Sequence, residues 1–156
     1  MRIKRTDNPS GLIDIRIAYL REDFPEMTEE IAVKIRSDLK EYIQGHLERD
    51  FFAYVAEENG TLLGSAFLVI NEMPPNPNFP KGRTGTVLNV YVVPESRRKG
   101  IASKIMSLLI SDAESMNLDY IELKASDEGY PLYKKLGFEE SISSFRPMKL
   151  ITNKAL

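Results

Sequence analysis

Apolar residues recur along this chain with two periods, and the switches between them outline its elements. Residues 3–5 predict a short first strand. Between 9 and 21, Leu12, Ile13, Ile15, Ile17, Ala18 and Leu20 recur at helical spacing, and Pro25 closes the segment. Thr28-Glu29-Glu30 supplies a capping hydroxyl and carboxylates at the positive end of a second helix. Ile31, Ile35, Leu39, Tyr42 and Ile43 then form one side of that helix, which runs to about Leu47. Residues 51–57 are rich in aromatic and β-branched types and predict a strand. Asn59-Gly60 predicts a hairpin into a second strand over 62–70, because both residues tolerate positive φ.

Residues 74–82 carry four prolines, which withdraw ladder donors, so they predict a loop. Its length fits a rim over a pocket as well as a plain connector. Residues 86–93 form a nearly unbroken apolar run, predicting a central strand covered on both faces and closed by Pro94. A helix follows over 99–116 with Ile101, Ile105, Leu108, Leu109, Ala113 and Met116 as its buried stripe. Residues 120–125 predict a strand, 129–136 a short helix, and 138–141 and 145–151 two final strands. The predicted order is βααβββαβαββ, a mixed α/β layer architecture.

Length changes this picture little: 156 residues fit a single domain spanning 1–156. Composition excludes more. The chain has no cysteine, so disulfides, thiolate nucleophiles and cysteine-bound metal clusters are excluded. His46 is the only histidine, which removes most histidine-based metal sites and catalytic triads. We therefore expect no metal. A net charge of −2 with interspersed signs argues against nucleic-acid binding, which needs many cations against phosphate. No apolar stretch approaches the roughly 20 residues that span a bilayer, and no apolar run follows the basic N-terminus. The expectation is a cytoplasmic protein with no membrane partner.

The chemistry concentrates in Val92-Val93-Pro94-Glu95-Ser96-Arg97-Arg98-Lys99-Gly100-Ile101-Ala102. Here a strand passes through a short basic loop into an amphipathic helix. The unpaired N–H groups of a helix start point at whatever lies in front of it. The helix dipole and three formal cations add positive potential, and Gly100 lets backbone approach a ligand closely. A diphosphate is the natural occupant. Neither Gly-x-x-x-x-Gly-Lys-Ser/Thr nor Gly-x-Gly-x-x-Gly is present, so a nucleoside triphosphatase or dinucleotide oxidoreductase gains no support.

Residues 97–102 match the Arg/Gln-x-x-Gly-x-Gly/Ala signature of GNAT-type N-acetyltransferases, and the chain resembles that family over nearly its whole length. Residues 88–95 resemble the family's fourth strand, and Leu132-Tyr133-Lys134-Lys135-Leu136-Gly137-Phe138 its Leu-Tyr-x-x-x-Gly-Phe motif. The resemblance implies a mainly antiparallel central sheet flanked by helices, and acetyl transfer from acetyl-CoA to a small-molecule or peptide amine. It places the pantetheine arm beside backbone of Val92 and Val93. It places the pyrophosphate on main-chain N–H groups of Arg98, Lys99, Gly100, Ile101 and Ala102, with Arg97 and the Ser103 hydroxyl alongside. Tyr133 is implied as donor to the departing thiolate.

Glu122-Leu123-Lys124-Ala125 resembles a stretch whose glutamate acts as base in some members, so Glu122 is either the base, with a water chain as the other candidate, or a solvent-facing strand carboxylate. Asn89, an amide in an apolar strand, either orients the acetyl group or a water, or pairs with backbone. Ser126 stands where many members carry asparagine, seven residues before the tyrosine. The resemblance leaves room for a homodimer. A non-catalytic acetyl-CoA sensor and an unrelated nucleotide-phosphate-binding domain are the rival readings, and Tyr133 favours the enzyme.

Overall fold

The computed structural model describes residues 1–153. Its elements run β1 (Arg2–Thr6), α1 (Leu12–Asp23), α2 (Glu29–His46), β2 (Phe51–Glu58), β3 (Thr61–Glu72), β4 (Arg83–Val92), α3 (Ile101–Glu114), β5 (Tyr120–Glu122) and α4 (Tyr130–Lys135). The five strands lie in sequence order in one sheet, antiparallel except for the parallel β4–β5 pair.

Local signals account for most boundaries. Asn59 and Gly60 both take positive φ and bring Glu58 opposite Thr61, as the hairpin dipeptide requires. The Thr28 hydroxyl oxygen accepts the Ile31 N–H at 3.2 Å and caps α2. The buried side of α2 is rotated from the expected stripe: Ala32 and Ile43 are buried, whereas Ile31 is exposed.

Strand alternation divides the core in two. Phe52, Tyr54, Ala56, Ala66 and Leu68 pack with Ile101, Ile105, Met106 and Leu109 of α3. Phe51, Ala53, Val55 and Phe67 pack with Leu12 and Ile15 of α1 and Ile43 of α2. The strand buried on both faces is therefore β2, where residues 51–56 are all buried. We expected that role for 86–93; instead β4 is buried only at alternate positions beyond Gly85. Its apolar side chains line an opening, because β5 pairs with it over only three residues.

The two final strands expected over 138–141 and 145–151 do not form. Pro147 removes a ladder donor in the middle of the second, and β5 presents too short an edge to template the first. Phe138 instead packs edge-on against Tyr133, with ring centroids 5.9 Å apart. Among the described residues, no helix is long and apolar enough to cross a membrane.

Candidate active site

The β4–β5 pairing begins at Thr84–Tyr120, ends at Thr86–Glu122 and is then abandoned. Beyond it the two strands diverge and leave a cleft of about 1260 Å³. Divergence starts beside a bulge: opposite β3, Phe67 faces Leu88 but Ser65 already faces Tyr91, so β4 carries an extra residue. Asn89 sits in it with φ 55°, a left-handed conformation that asparagine tolerates better than most residues. The bulge is held by Ser65, whose hydroxyl donates to the Asn89 carbonyl at 2.9 Å and accepts from its Nδ2 at 3.0 Å. Arg16 of α1 donates to Asn89 Oδ1 at 3.1 Å. Both ends of this buried amide are thus engaged within the protein.

Past the bulge, the N–H of Val93 donates to the Leu63 carbonyl at 2.9 Å. Antiparallel alternation then turns the N–H and C=O of Val92, which faces Gly64, toward the cleft. Val92 lines the cleft with its N–H on an unpaired strand edge and its carbonyl bonded by Arg97 Nε, whereas the amide of Val93 is spent on β3 and that residue lies outside the cleft wall.

A short 3-10 turn, Pro94–Ser96, links β4 to the basic loop. Arg97 N–H donates to the Pro94 carbonyl at 3.3 Å, and the first carbonyl taken up by α3 is that of Gly100, bonded by Lys104 N–H at 3.2 Å. Between them, the N–H groups of Arg98, Lys99, Gly100, Ile101, Ala102 and Ser103 find no acceptor among the described residues. Positive φ at Arg98 (63°) and Gly100 (76°) coils the loop into the helix start. Arg98, Gly100, Ile101, Ala102 and Ser103 line the cleft, whereas Lys99 does not. This is a concave row of donors at the positive end of a 14-residue helix, an arrangement suited to an anion.

The basic side chains divide their work. Arg97 donates from Nε to the Val92 carbonyl at 2.8 Å, pairs through Nη2 with Glu22 of α1 at 2.7 Å, and lies 5.4 Å from the Tyr91 ring centroid. It acts as a brace from the loop to β4 and α1, its charge already matched. Arg98 and Lys99 are exposed.

Across the cleft, Tyr133 of α4 is partly buried, and its ring lies so close to Gly129 that a Cβ there would come within 2.9 Å of Cε2. Burial, with a smaller contribution from Tyr19, pushes its phenol up to about 12. Among the described residues its hydroxyl makes no hydrogen bond, and it borders the cleft. Glu122, the last residue of β5, is exposed and lines the same cleft. The structure thus brings Asn89, Val92, Arg97, Glu122, Tyr133 and the loop amides to one opening.

The sequence leads us to expect that the helical pair over 9–47 shapes an acceptor pocket, but it singles out no residue of α1 for it. Tyr19, Glu22 and Asp23 also line the cleft. Their signal was a polar face at spacings of three and four, set against an apolar pattern that alone had defined the helix.

The sequence profile of the acetyltransferase (GNAT) family matches residues 14–138. A predicted acetyltransferase from Clostridium acetobutylicum, crystallised with acetyl-CoA, superimposes with a TM-score of 0.78 at 25% identity, covering 95% of each chain. A GCN5-related N-acetyltransferase from Ralstonia eutropha gives a TM-score of 0.76 at 24% identity, covering 94% of this chain and 97% of that one. No curated protein matches by sequence comparison.

Proposed function

Because the chain belongs to the GNAT acetyltransferase family, we propose that it moves the acetyl group of acetyl-CoA onto a primary amine, by direct attack in a ternary complex within the β4–β5 cleft. One observation carries this reading: six consecutive amides, from Arg98 to Ser103, have no acceptor at the mouth of a cleft whose far wall is an unpaired strand edge. The acetyl-CoA bound by the Clostridium acetobutylicum relative supports the same co-substrate here. The loop amides and the Ser103 hydroxyl hold the diphosphate. The open groups of Val92 lie along the pantetheine arm, in competition with Arg97 for the Val92 carbonyl.

The attacking amine must be neutral. At a reference pKa near 10.4, fewer than about one alkylamine in a thousand is neutral at pH 7. Glu122, or water held by it, takes the proton as the C–N bond forms. The C–S bond then breaks and leaves a thiolate. Tyr133 meets that sulfur with its hydroxyl. With the phenol at about 12 and a thiol near 8.5, full proton transfer to sulfur runs uphill by about 5 kcal/mol. Tyr133 therefore stabilises the thiolate as a hydrogen-bond donor, and the proton on sulfur comes finally from solvent. Asn89 serves the reaction through its backbone, since the bulge it occupies splays β4 from β5.

Calorimetry with acetyl-CoA, followed by thiol release across an amine and peptide panel, tests this directly. Binding with turnover on an amine is the expected result. Binding without turnover on any acceptor would favour a sensor, and no binding would remove the reading. Gly129→Ala supplies a finer check. The added methyl forces the Tyr133 ring aside, so kcat is expected to fall roughly tenfold or more while acetyl-CoA affinity holds. Native kcat in that variant would show that the ring's placement is immaterial.

A further inference from the structure

Arg16, Tyr19 and Asp23 follow one another on α1 at spacings of three and four, so they stand one above another. Tyr19 and Asp23 line the opening. Arg16, one turn before Tyr19, does not itself line the opening but reaches the bulge behind it, where among the described residues its guanidinium makes a single hydrogen bond, to the neutral Asn89 Oδ1 at 3.1 Å. Its Cζ lies 5.7 Å from the Tyr19 ring centroid. Among the described residues, no carboxylate comes within ion-pair distance of it. Asp23 is two turns away and accepts from the Tyr19 hydroxyl at 3.4 Å.

Other partly buried arginines are treated differently. Arg83 has Glu72 at 2.6 Å and Arg97 has Glu22 at 2.7 Å. Desolvation draws the Arg16 pKa below its ordinary value, outweighing the upward pull of Tyr19, Asp23 and Tyr42. A desolvated cation without a counter-ion is costly to hold, and a guanidinium presents a planar fork matched to a carboxylate. The position is also suited to the chemistry: Asn89, which Arg16 bonds, borders the cleft at the point where β4 leaves β5.

We propose that Arg16 receives the carboxylate of the acceptor, so that the substrate is a carboxylate-bearing primary amine of amino-acid type. The assignment rests on the acetyl-transfer reading above. A carboxylate anchored at Arg16 orients its own amine toward the mouth of the bulge, and it supplies the close counter-charge that no described residue brings to ion-pair distance. Amines without an anionic group leave the guanidinium unmatched and bind weakly.

The test uses the native chain, acetyl-CoA, and matched acceptors: amino acids, their carboxamides and their decarboxylated amines, read by thiol release. The native enzyme is expected to show a KM for the amino acid roughly tenfold or more below those of its uncharged and decarboxylated counterparts. Arg16→Gln should erase that preference and Arg16→Lys should keep part of it. Acetyl-CoA affinity by calorimetry should stay within about twofold in both, which also reports folding. Equal KM values across a matched set, or a carboxylate preference that survives in Arg16→Gln, would overturn the assignment while leaving acetyl transfer intact. Acetyl-CoA binding with no acceptor turned over would overturn the acetyl-transfer reading, and this one with it.

Discussion

Tyr133→Phe is expected to lower kcat about a hundredfold, with acetyl-CoA affinity changed less than about twofold. The substitution removes one oxygen from a partly buried ring whose packing on Gly129 and Phe138 involves only carbon. Binding should therefore survive. What is lost is the donor proposed to meet the departing sulfur. The pH dependence sharpens the prediction. Burial pushes the phenol up to about 12, so the donor form persists at every pH below that value. The rate should rise with pH as the acceptor amine loses its proton, and no descending limb from Tyr133 should appear below about pH 11. A falling limb near pH 9 would contradict the raised phenol. Native kcat in Tyr133→Phe would remove the donor role.

Gly100→Ala is the second large effect, and it falls on binding. At φ 76° a side chain is strained, which costs about 1 kcal/mol and lowers Tm by roughly 2–4 °C in a chain of this size. Nothing in the protein lies within 4 Å of the added methyl, so the fold itself meets no clash. The methyl instead stands on the cleft wall, and relief of the strain turns the neighbouring amides away from the diphosphate. Acetyl-CoA is expected to bind at least about tenfold more weakly, since several charge-assisted hydrogen bonds depend on that loop. Calorimetry reads the affinity, and thermal melting reads the strain. Native affinity alongside a lowered Tm would show that the amides of 98–103 do not hold the diphosphate.

Much of the site was legible because its signals are local. The strand, basic loop and helix start occupy a dozen consecutive residues. Gly100 at the helix entry, Thr28 at the start of α2 and Asn59-Gly60 at the hairpin each act through their own backbone. Likewise the Leu132–Phe138 run foretold a short helix with Tyr133 on it. Side-chain commitments were not legible in the same way. The sequence shows three formal cations in the basic loop, but the charge of Arg97 is matched by Glu22, a partner 75 positions earlier. Val93 was read as ligand-facing, yet β3 takes its amide, and that depends on how strand alternation falls after the bulge.

Taken alone, the sequence determined the order of elements through β5 and α4, the strand–basic loop–helix junction and the family. These follow from periodicity and backbone preference within short windows, where neighbours in the chain are neighbours in space. Only the tertiary structure decided that β4 bulges at Asn89, that α1 lays Tyr19 and Glu22 along the opening and Arg16 against Asn89, and that residues 138–151 form no strand. The reason is pairing. A strand exists only where an edge of sufficient length meets it in register, and a buried charge is defined by what stands opposite, which the linear pattern does not specify.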